Sequence, residues 1–172
     1  MKLITIGVYG FSEAAFFAAL QQAGVDTLCD VRWRRGVRGA EYAFANSARL
    51  QKRLAELGIR YLHFGDLAPS PAVRQRQFEA DKAQRIAKRK RSALSEAFIV
   101  AYRQERLSAF DSGKFIEQLG AGTRTVALFC VEGEPAACHR SLLAARLQQD
   151  LGAGCEIIHL TPKPAAAEGA GG

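Results

Sequence analysis

Two cysteines, a histidine and an arginine lie close together in one stretch of this 172-residue chain. An apolar run ends at Cys130 and Glu132. A short loop with glycine and proline follows, and then Cys138, His139 and Arg140 stand side by side before a helical pattern. A strand, a loop and a helix start in this order can present backbone N–H groups and reactive side chains together. This stretch is therefore the first candidate site, although it does not name a reaction.

The residues at this helix start suit two chemistries. Arg140 and His139 could bind a phosphate or carboxylate, or Arg140 could pair with Glu132 or Asp30 and tie the loop down. Cys138 could be a nucleophile, because a neighbouring histidine and arginine lower the pKa of a thiol. The alternative for Cys138 is the inert buried thiol that most free cysteines are.

A zinc site could be assembled from Cys130, Cys138, His139 and His63, since thiolates and imidazoles are zinc ligands. The spacing matches no standard zinc knuckle, however, and adjacent Cys-His side chains usually diverge. The place of Cys130 at the end of a strand favours the core over catalysis. We therefore expect no metal and no other cofactor.

Asp30 and Arg32 lie two residues apart, hence on one face of an extended segment. They could hold each other as a structural pair, which is the favoured interpretation. Asp30 could instead orient His63 or His139 as a general base.

The formal net charge is +7, and the charge is unevenly distributed. Cations are concentrated in two clusters, and Trp33 and Tyr42 are interleaved with the first. Such clusters favour a polyanionic partner that is held by phosphate contacts and stacking, whereas a solvated helix face or a plain surface loop is the alternative. The candidate nucleic-acid contacts are Trp33, Arg34, Arg35, Arg38, Arg74, Arg76, Arg85, Lys88 and Arg89.

Strand-like and helical patterns alternate along the chain. We expect one α/β domain over residues 1–160, with a mainly parallel five-stranded sheet, flanking helices, and a basic helical insertion over 72–120. Predicted strands cover 2–7, 25–31, 59–64, 124–131 and 155–160. Predicted helices include one that Ser12 caps, one over the basic residues 72–91 and one over 139–151. The tail 161–172 is rich in alanine, glycine and proline and is expected to be disordered. In this fold class, sites lie at the carboxyl ends of the strands, where the candidate residues converge.

The chain resembles an uncharacterised family called domain of unknown function 488, over about residues 3–160. The resemblance rests on Thr5-Ile-Gly7, on Asp30-Val-Arg32 with Arg38 and Phe44, on Gly58-Ile-Arg-Tyr-Leu-His63, on Phe98 with Tyr102, and on Cys130-Val-Glu132 with Pro135-Ala-Ala-Cys-His-Arg140. It implies an α/β fold and a site near these motifs, but no settled activity.

Two features depart from the family pattern. Val8-Tyr9 stands where the family often has His-Ser, and a basic helical segment replaces the usual glycine-rich loop after the third strand. The second departure suggests that this branch of the family has its own partner or substrate.

No apolar run approaches the roughly 20 residues of a membrane span, and the four cysteines follow no disulfide pattern. We therefore expect a cytoplasmic protein with no membrane partner. Its predicted function is to bind or process nucleic acid or another phosphate-bearing ligand in an anion-binding pocket.

Whether the protein is an enzyme stays open. In an enzyme, Arg140, Arg32 and the helix N-terminus would hold the anion, His139 or Asp30 would transfer protons, and Cys138 would be the nucleophile. Glu132, Cys130 and His63 complete this candidate catalytic set. The alternatives are a non-enzymatic nucleic-acid-binding module, in which the Cys-His-Arg motif only braces the fold, and a small-molecule thiol or sulfur-transfer enzyme that uses Cys138.

Overall fold

Five strands form one fully parallel sheet in the computed structural model, which describes residues 1–162 except for the side chain of Arg89. The strands are β1 (Lys2–Gly7), β2 (Thr27–Asp30), β3 (Arg60–His63), β4 (Thr125–Cys130) and β5 (Glu156–Leu160). Their order across the sheet is β3-β2-β4-β1-β5. The α/β prediction is confirmed. Most of the tail predicted to be disordered, from 163 onward, lies outside the described residues.

Helices cover both faces of the sheet. They are α1 (Glu13–Gln22), α2 (Ser47–Glu56), α3 (Pro71–Gln84), α4 (Glu96–Tyr102), α5 (Ser112–Leu119) and α6 (His139–Leu151). Alternate residues of a strand point to opposite faces, so Phe129 packs with α1 and α2 while Leu128 packs with α4, α5 and α6. The helical insertion is made of α3, α4 and α5, which lie between β3 and β4 in the chain.

The basic segment is less helical than its composition predicts. A helix through residue 91 was expected, but α3 ends at Gln84 because Arg85 adopts a left-handed conformation with φ of 56°. Lys88–Lys90 then form a single 3-10 turn. The chain therefore turns back after α3, which brings Lys88 and Arg91 towards the strand ends.

The sheet order defines the place of a crevice. After β2 the chain moves outward to β3, whereas after β4 it moves in the opposite direction, across β1, to β5. Neighbouring strands whose connections diverge in this way leave a gap between their carboxyl ends, where α/β proteins bind ligands. Asp30 and Cys130 end these two strands.

Among residues 1–162, no helix has both the length and the apolarity that crossing a membrane would require.

Candidate functional site

The carboxyl ends of β2 and β4 open onto a cleft of about 850 Å³. One wall is the loop that follows β2, and another wall is one face of α3. The cleft brings together ten of the predicted site residues, which are Arg32, Trp33, Arg34, Arg38, Arg74, Lys88, Cys130, Glu132, Cys138 and His139. Residues from four separate segments of the chain thus share one concave surface, the usual form of a ligand site.

Two thiols and an imidazole form the floor of this cleft. Cys130 ends β4, Cys138 is the N-cap residue of α6, and His139 is the first residue of that helix. The Sγ atom of each cysteine lies 3.9 Å from Nδ1 of His139. Cys138 is only 2% exposed. Adjacent Cys-His side chains were expected to diverge, but here they converge because Cys138 is extended (φ −137°, ψ 140°) while His139 is already helical.

The two thiols differ in their affinity for a proton. The hydrogen bond with Cys138 and burial raise the pKa of Cys130 well above its ordinary value. Burial also raises the pKa of Cys138, but the hydrogen bond from Cys130 and the positive charge of Arg140 outweigh burial and hold it well below its ordinary value. Deprotonation of the pair therefore starts at Cys138, and the proton stays on Cys130.

Asp30 and Arg32 form a buried ion pair. Nε and Nη2 of Arg32 donate to the two carboxylate oxygens at 2.8 and 2.7 Å. The Tyr61 hydroxyl donates to the same carboxylate at 2.7 Å, and Arg32 also donates to the Ala45 carbonyl at 3.0 Å. Its guanidinium lies 4.4 Å from the centre of the Phe129 ring. This is the structural pair that the spacing favoured, and neither histidine contacts the carboxylate.

Arg140 is also completely buried and binds the protein itself. It donates to the backbone carbonyls of Glu132 and Gly133. These carbonyls belong to the loop that connects Cys130 to Cys138. In this structure Arg140 braces the loop rather than facing the cleft, while its Nε atom has no partner among the described groups.

His63 lies away from the floor. It is exposed, and its Nε2 lies 2.8 Å from the backbone carbonyl of Arg32. Arg35, Arg76 and Arg85 likewise do not line the cleft. The predicted nucleic-acid contacts whose side chains are described therefore divide into some that face the cleft and some that do not. The side chain of Arg89, which was also predicted, lies outside the described part of the structure.

The walls carry exposed aromatic and cationic groups. Trp33 is 61% exposed and Phe78 is 60% exposed. Arg34, Arg38 and Arg74 are exposed, and none of their side chains hydrogen bonds or ion-pairs with another group that the structure describes. Surface cations without partners and bare aromatic faces are available to a ligand.

Arg91 connects the α3 wall to the floor. Its guanidinium pairs with Asp81 at 2.8 Å and with Glu132 at 3.5 Å, and it also donates to the Ala137 carbonyl. Lys88 lies 3.6 Å from the same Glu132 carboxylate. Burial raises the pKa of Glu132, although Lys88 and Arg91 oppose that rise. This network fixes the turn after α3 against the strand end.

Sequence reasoning found one residue of the α3 wall and missed the others. Arg74, which was predicted, lines the cleft together with Gln77, Phe78 and Asp81, which were not. They follow the spacing i, i+3, i+4, i+7, which places them on one helix face. This helical spacing could have revealed the face from the sequence. The face mixes polar and aromatic residues, however, so a search limited to apolar residues does not detect it.

Comparison with known proteins identifies a family. The profile described as "Domain of unknown function DUF488" matches residues 12–147, most of the chain. This protein belongs to the DUF488 family. No curated protein and no solved structure was found to match it.

Two of the motifs that carried the resemblance to DUF488 meet at the β2–β4 crevice. Asp30-Val-Arg32 starts at the last residue of β2, and the cysteines and His139 of the other motif form the floor. Tyr9, from the Val8-Tyr9 departure noted in the sequence, also lines the cleft. Family membership thus draws attention to the same surface as the geometry, without supplying an activity.

Proposed function

We propose that this protein binds a phosphate-bearing ligand in the β2–β4 cleft, and that single-stranded nucleic acid is the ligand class. The observation that carries the proposal is the pairing of unpartnered arginines with exposed aromatic rings around one concave surface. Arg34 and Arg38 stand on one wall with Trp33, and Arg74 stands on the other with Phe78. Grooves that bind single strands combine the same two elements.

The charges support an anionic ligand. Among the described residues, two anions line the cleft. Asp81 and Glu132 are already paired with Arg91, and Lys88 also approaches Glu132. The three unpartnered arginines therefore set the sign of the potential in the cleft. A concave surface of one sign concentrates counter-charged ligands and speeds their association.

The aromatic rings support unpaired bases. Trp33 and Phe78 keep well over half of their surface in solvent, although large aromatic side chains are normally buried. A base stacked on such a ring contributes about 1–3 kcal/mol, and every base has a face to offer. In a duplex the bases stack on one another, so duplex DNA would use the arginines and leave the rings unused.

The proposed setting is the cytoplasm, where a protein meets RNA and single-stranded DNA. All four cysteines are free, which agrees with a reducing compartment. The sulfur-transfer alternative stays a prediction. It requires a substrate to reach Cys138, which is 2% exposed at the cleft floor.

The test is fluorescence anisotropy with labelled single-stranded DNA, single-stranded RNA and duplex DNA at several salt concentrations. Two triple variants separate the cleft from general basicity. One changes Arg34, Arg38 and Arg74 to Gln, and the matched control changes Arg76, Lys82 and Arg85 to Gln. Each removes three exposed cations, so both have the same net charge.

We expect single strands to bind more tightly than the duplex, and the cleft variant to lose affinity while the control keeps most of it. Equal losses in the two variants would show nonspecific attraction to a basic surface. Absence of binding at low salt would reject the nucleic-acid proposal.

A further inference from the structure

The floor of the cleft has the donor set and spacing of a metal site. The ligand atoms of Cys130, Cys138 and His139 all lie within 4.8 Å of one another, and each sulfur is 3.9 Å from Nδ1 of the histidine. Around a tetrahedral zinc ion with bonds of about 2.3 Å to sulfur and about 2.0 Å to nitrogen, neighbouring ligand atoms lie roughly 3.5–3.8 Å apart. Contraction by about 0.4 Å in each sulfur–nitrogen distance, and by at most about 1 Å between the two sulfurs, would therefore complete the coordination.

The hydrogen bonding of His139 fixes the tautomer that a metal needs. Its Nε2 lies 3.2 Å from the backbone carbonyl of Val31, in a buried position. A carbonyl oxygen can only accept, so Nε2 is the donor, and in the neutral ring Nδ1 presents its lone pair to the two sulfurs. Metal-bound histidines are oriented in the same way, by donating their other N–H to a carbonyl or carboxylate.

The surrounding structure holds the three donors in place. Arg140 binds the loop between the two cysteines, and Ser141 Oγ donates to the Pro135 carbonyl at 2.6 Å. The ring of Tyr102 packs edge-on against His139, with ring centres 5.4 Å apart. The donors thus lie on two fixed elements and a braced loop, as a preorganised site requires.

We propose that Cys130, Cys138 and His139 bind a thiophilic divalent ion, zinc, through their two Sγ atoms and Nδ1. Zinc binds both sulfurs as thiolates, so each S–H proton that is still present is released to solvent as the S–Zn bond forms. The expectation of no metal is revised, because the sequence could not show that Cys138 and His139 converge. His63, which the sequence offered as a fourth ligand, lies elsewhere.

The fourth coordination position faces the ligand cleft, because all three donors line it. Structural zinc sites use four protein ligands, whereas catalytic sites use three and keep one position for water or substrate. Among residues 1–162, no further histidine, cysteine or carboxylate joins the three. The site therefore has the form of an open zinc centre, and it stands independently of the nucleic-acid proposal.

The test uses metal ions alone, with no nucleic acid, on protein prepared with a chelator and a non-thiol reductant. Zinc affinity is measured by competition with a chromophoric chelator. Cobalt is then added, since thiolate-to-cobalt charge transfer and intense visible bands report tetrahedral coordination by sulfur. The variants are Cys130→Ser, Cys138→Ser and His139→Gln, and the matched control is Cys155→Ala, a buried cysteine outside the cluster.

We expect one zinc ion per chain in the natural protein and in the control. Each ligand variant should lose more than about 100-fold in affinity, the upper end of the loss caused by removing an outer-shell partner. No zinc binding by the natural protein, or unchanged binding in the ligand variants, would overturn the proposal, as would cobalt spectra without a sulfur band.

A second measurement keeps the proposal testable if a variant fails to fold. Alkylation of the natural protein, with the modified cysteines located by mass spectrometry, is compared with and without zinc. Zinc should protect Cys130 and Cys138 and leave the alkylation of Cys29 and Cys155 unchanged. Equal alkylation of the pair in both conditions would overturn the site.

Discussion

Arg32 and Arg140 are buried and direct their donors to the protein itself, whereas Arg34, Arg38 and Arg74 are exposed and bind no other described group. The first two hold the ends of β2 and β4 in place, through Asp30 and through the loop carbonyls of residues 132 and 133. The other three stand on the walls of the cleft. Arginine therefore stabilises the buried strand ends at the crevice, whereas on the exposed walls of the cleft it remains available to a ligand.

This difference follows from solvation. A buried guanidinium must be ion-paired, as Arg32 is, or hydrogen-bonded, as Arg140 is, since an uncompensated buried charge costs several kcal/mol. An exposed guanidinium is hydrated and contributes little to folding, so it can be positioned for an anion instead. Substitution of the buried arginines should accordingly lower folding stability, whereas substitution of the exposed arginines should lower affinity for the ligand.

The largest expected effect is on stability, from Arg32→Ala. This change leaves the Asp30 carboxylate buried with only Tyr61 and the Arg32 backbone N–H as donors. We expect the free energy of unfolding to fall by about 3–5 kcal/mol, measured by urea denaturation. The control is Arg34→Ala, two residues along the same segment and exposed, which should change stability by at most about 0.5 kcal/mol. Similar losses in both would contradict the division into two groups.

The second-largest expected effect is a loss of single-strand affinity when Arg34, Arg38 and Arg74 are all changed to Gln. A single strand releases about 0.7 counterions per neutralised phosphate, so loss of three contacts should lower affinity roughly 100-fold at 0.1 M salt. The salt slope should fall by about two units, because three contacts at 0.7 each are lost. The folding stability should be unchanged. A loss of stability with intact binding would show that these three arginines stabilise the fold and do not contact the ligand.

A smaller effect on binding is expected from Trp33→Ala. Removal of one stacking platform should weaken single-strand binding by about 1–3 kcal/mol and leave the salt slope unchanged, because no charge is removed. Titration at two salt concentrations measures both quantities. Trp33→Phe, which keeps an aromatic face, should recover much of the affinity. Equal affinities for all three proteins would show that the ring does not contact the ligand.

The smallest effect belongs to Tyr61→Phe, which removes one of the hydrogen bonds to Asp30. We expect a loss of about 1 kcal/mol in the free energy of unfolding at neutral pH. Burial and the bond to Asp30 raise the pKa of Tyr61 above 10.0. The contribution of the protonated Tyr61 hydroxyl to the free energy of unfolding is therefore complete below the unfolded-state pKa. It is lost as pH rises through the higher folded-state pKa.

Urea denaturation at a series of pH values measures this loss. The natural protein should lose stability relative to Tyr61→Phe on the alkaline side of about pH 10. Parallel pH profiles would show that the phenol is not held in its protonated form.

Much of the fold could be predicted from local patterns. Ser12 caps α1, and its side chain accepts the Ala15 N–H as the sequence indicated. The helix over 139–151 and the strand over 2–7 have the predicted bounds. Prediction failed in the basic segment, where composition favoured a helix through residue 91. The left-handed Arg85 ends that helix, and the ion pairs of Arg91 hold the returning chain.

The site was predictable in its members but not in its geometry. Strand–helix alternation and the carboxyl-end rule identified Cys130, Cys138 and His139 as neighbours of the β2 end. Nothing in the spacing showed that the imidazole faces both sulfurs. Phe78 and Arg91 were missed as site residues because their roles depend on how α3 docks against the strand ends.

The sequence by itself determined the α/β class and predicted that the segments after β2 and β4 meet at the crevice, because periodicity and turn residues are local quantities. The tertiary structure alone decided which arginines are buried and paired, which remain exposed, and that two thiols and an imidazole share one cleft floor. Those outcomes depend on contacts between distant segments such as Val31 and His139. Burial and the distances between side chains are properties of the packed structure and cannot be read from the order of residues in the sequence.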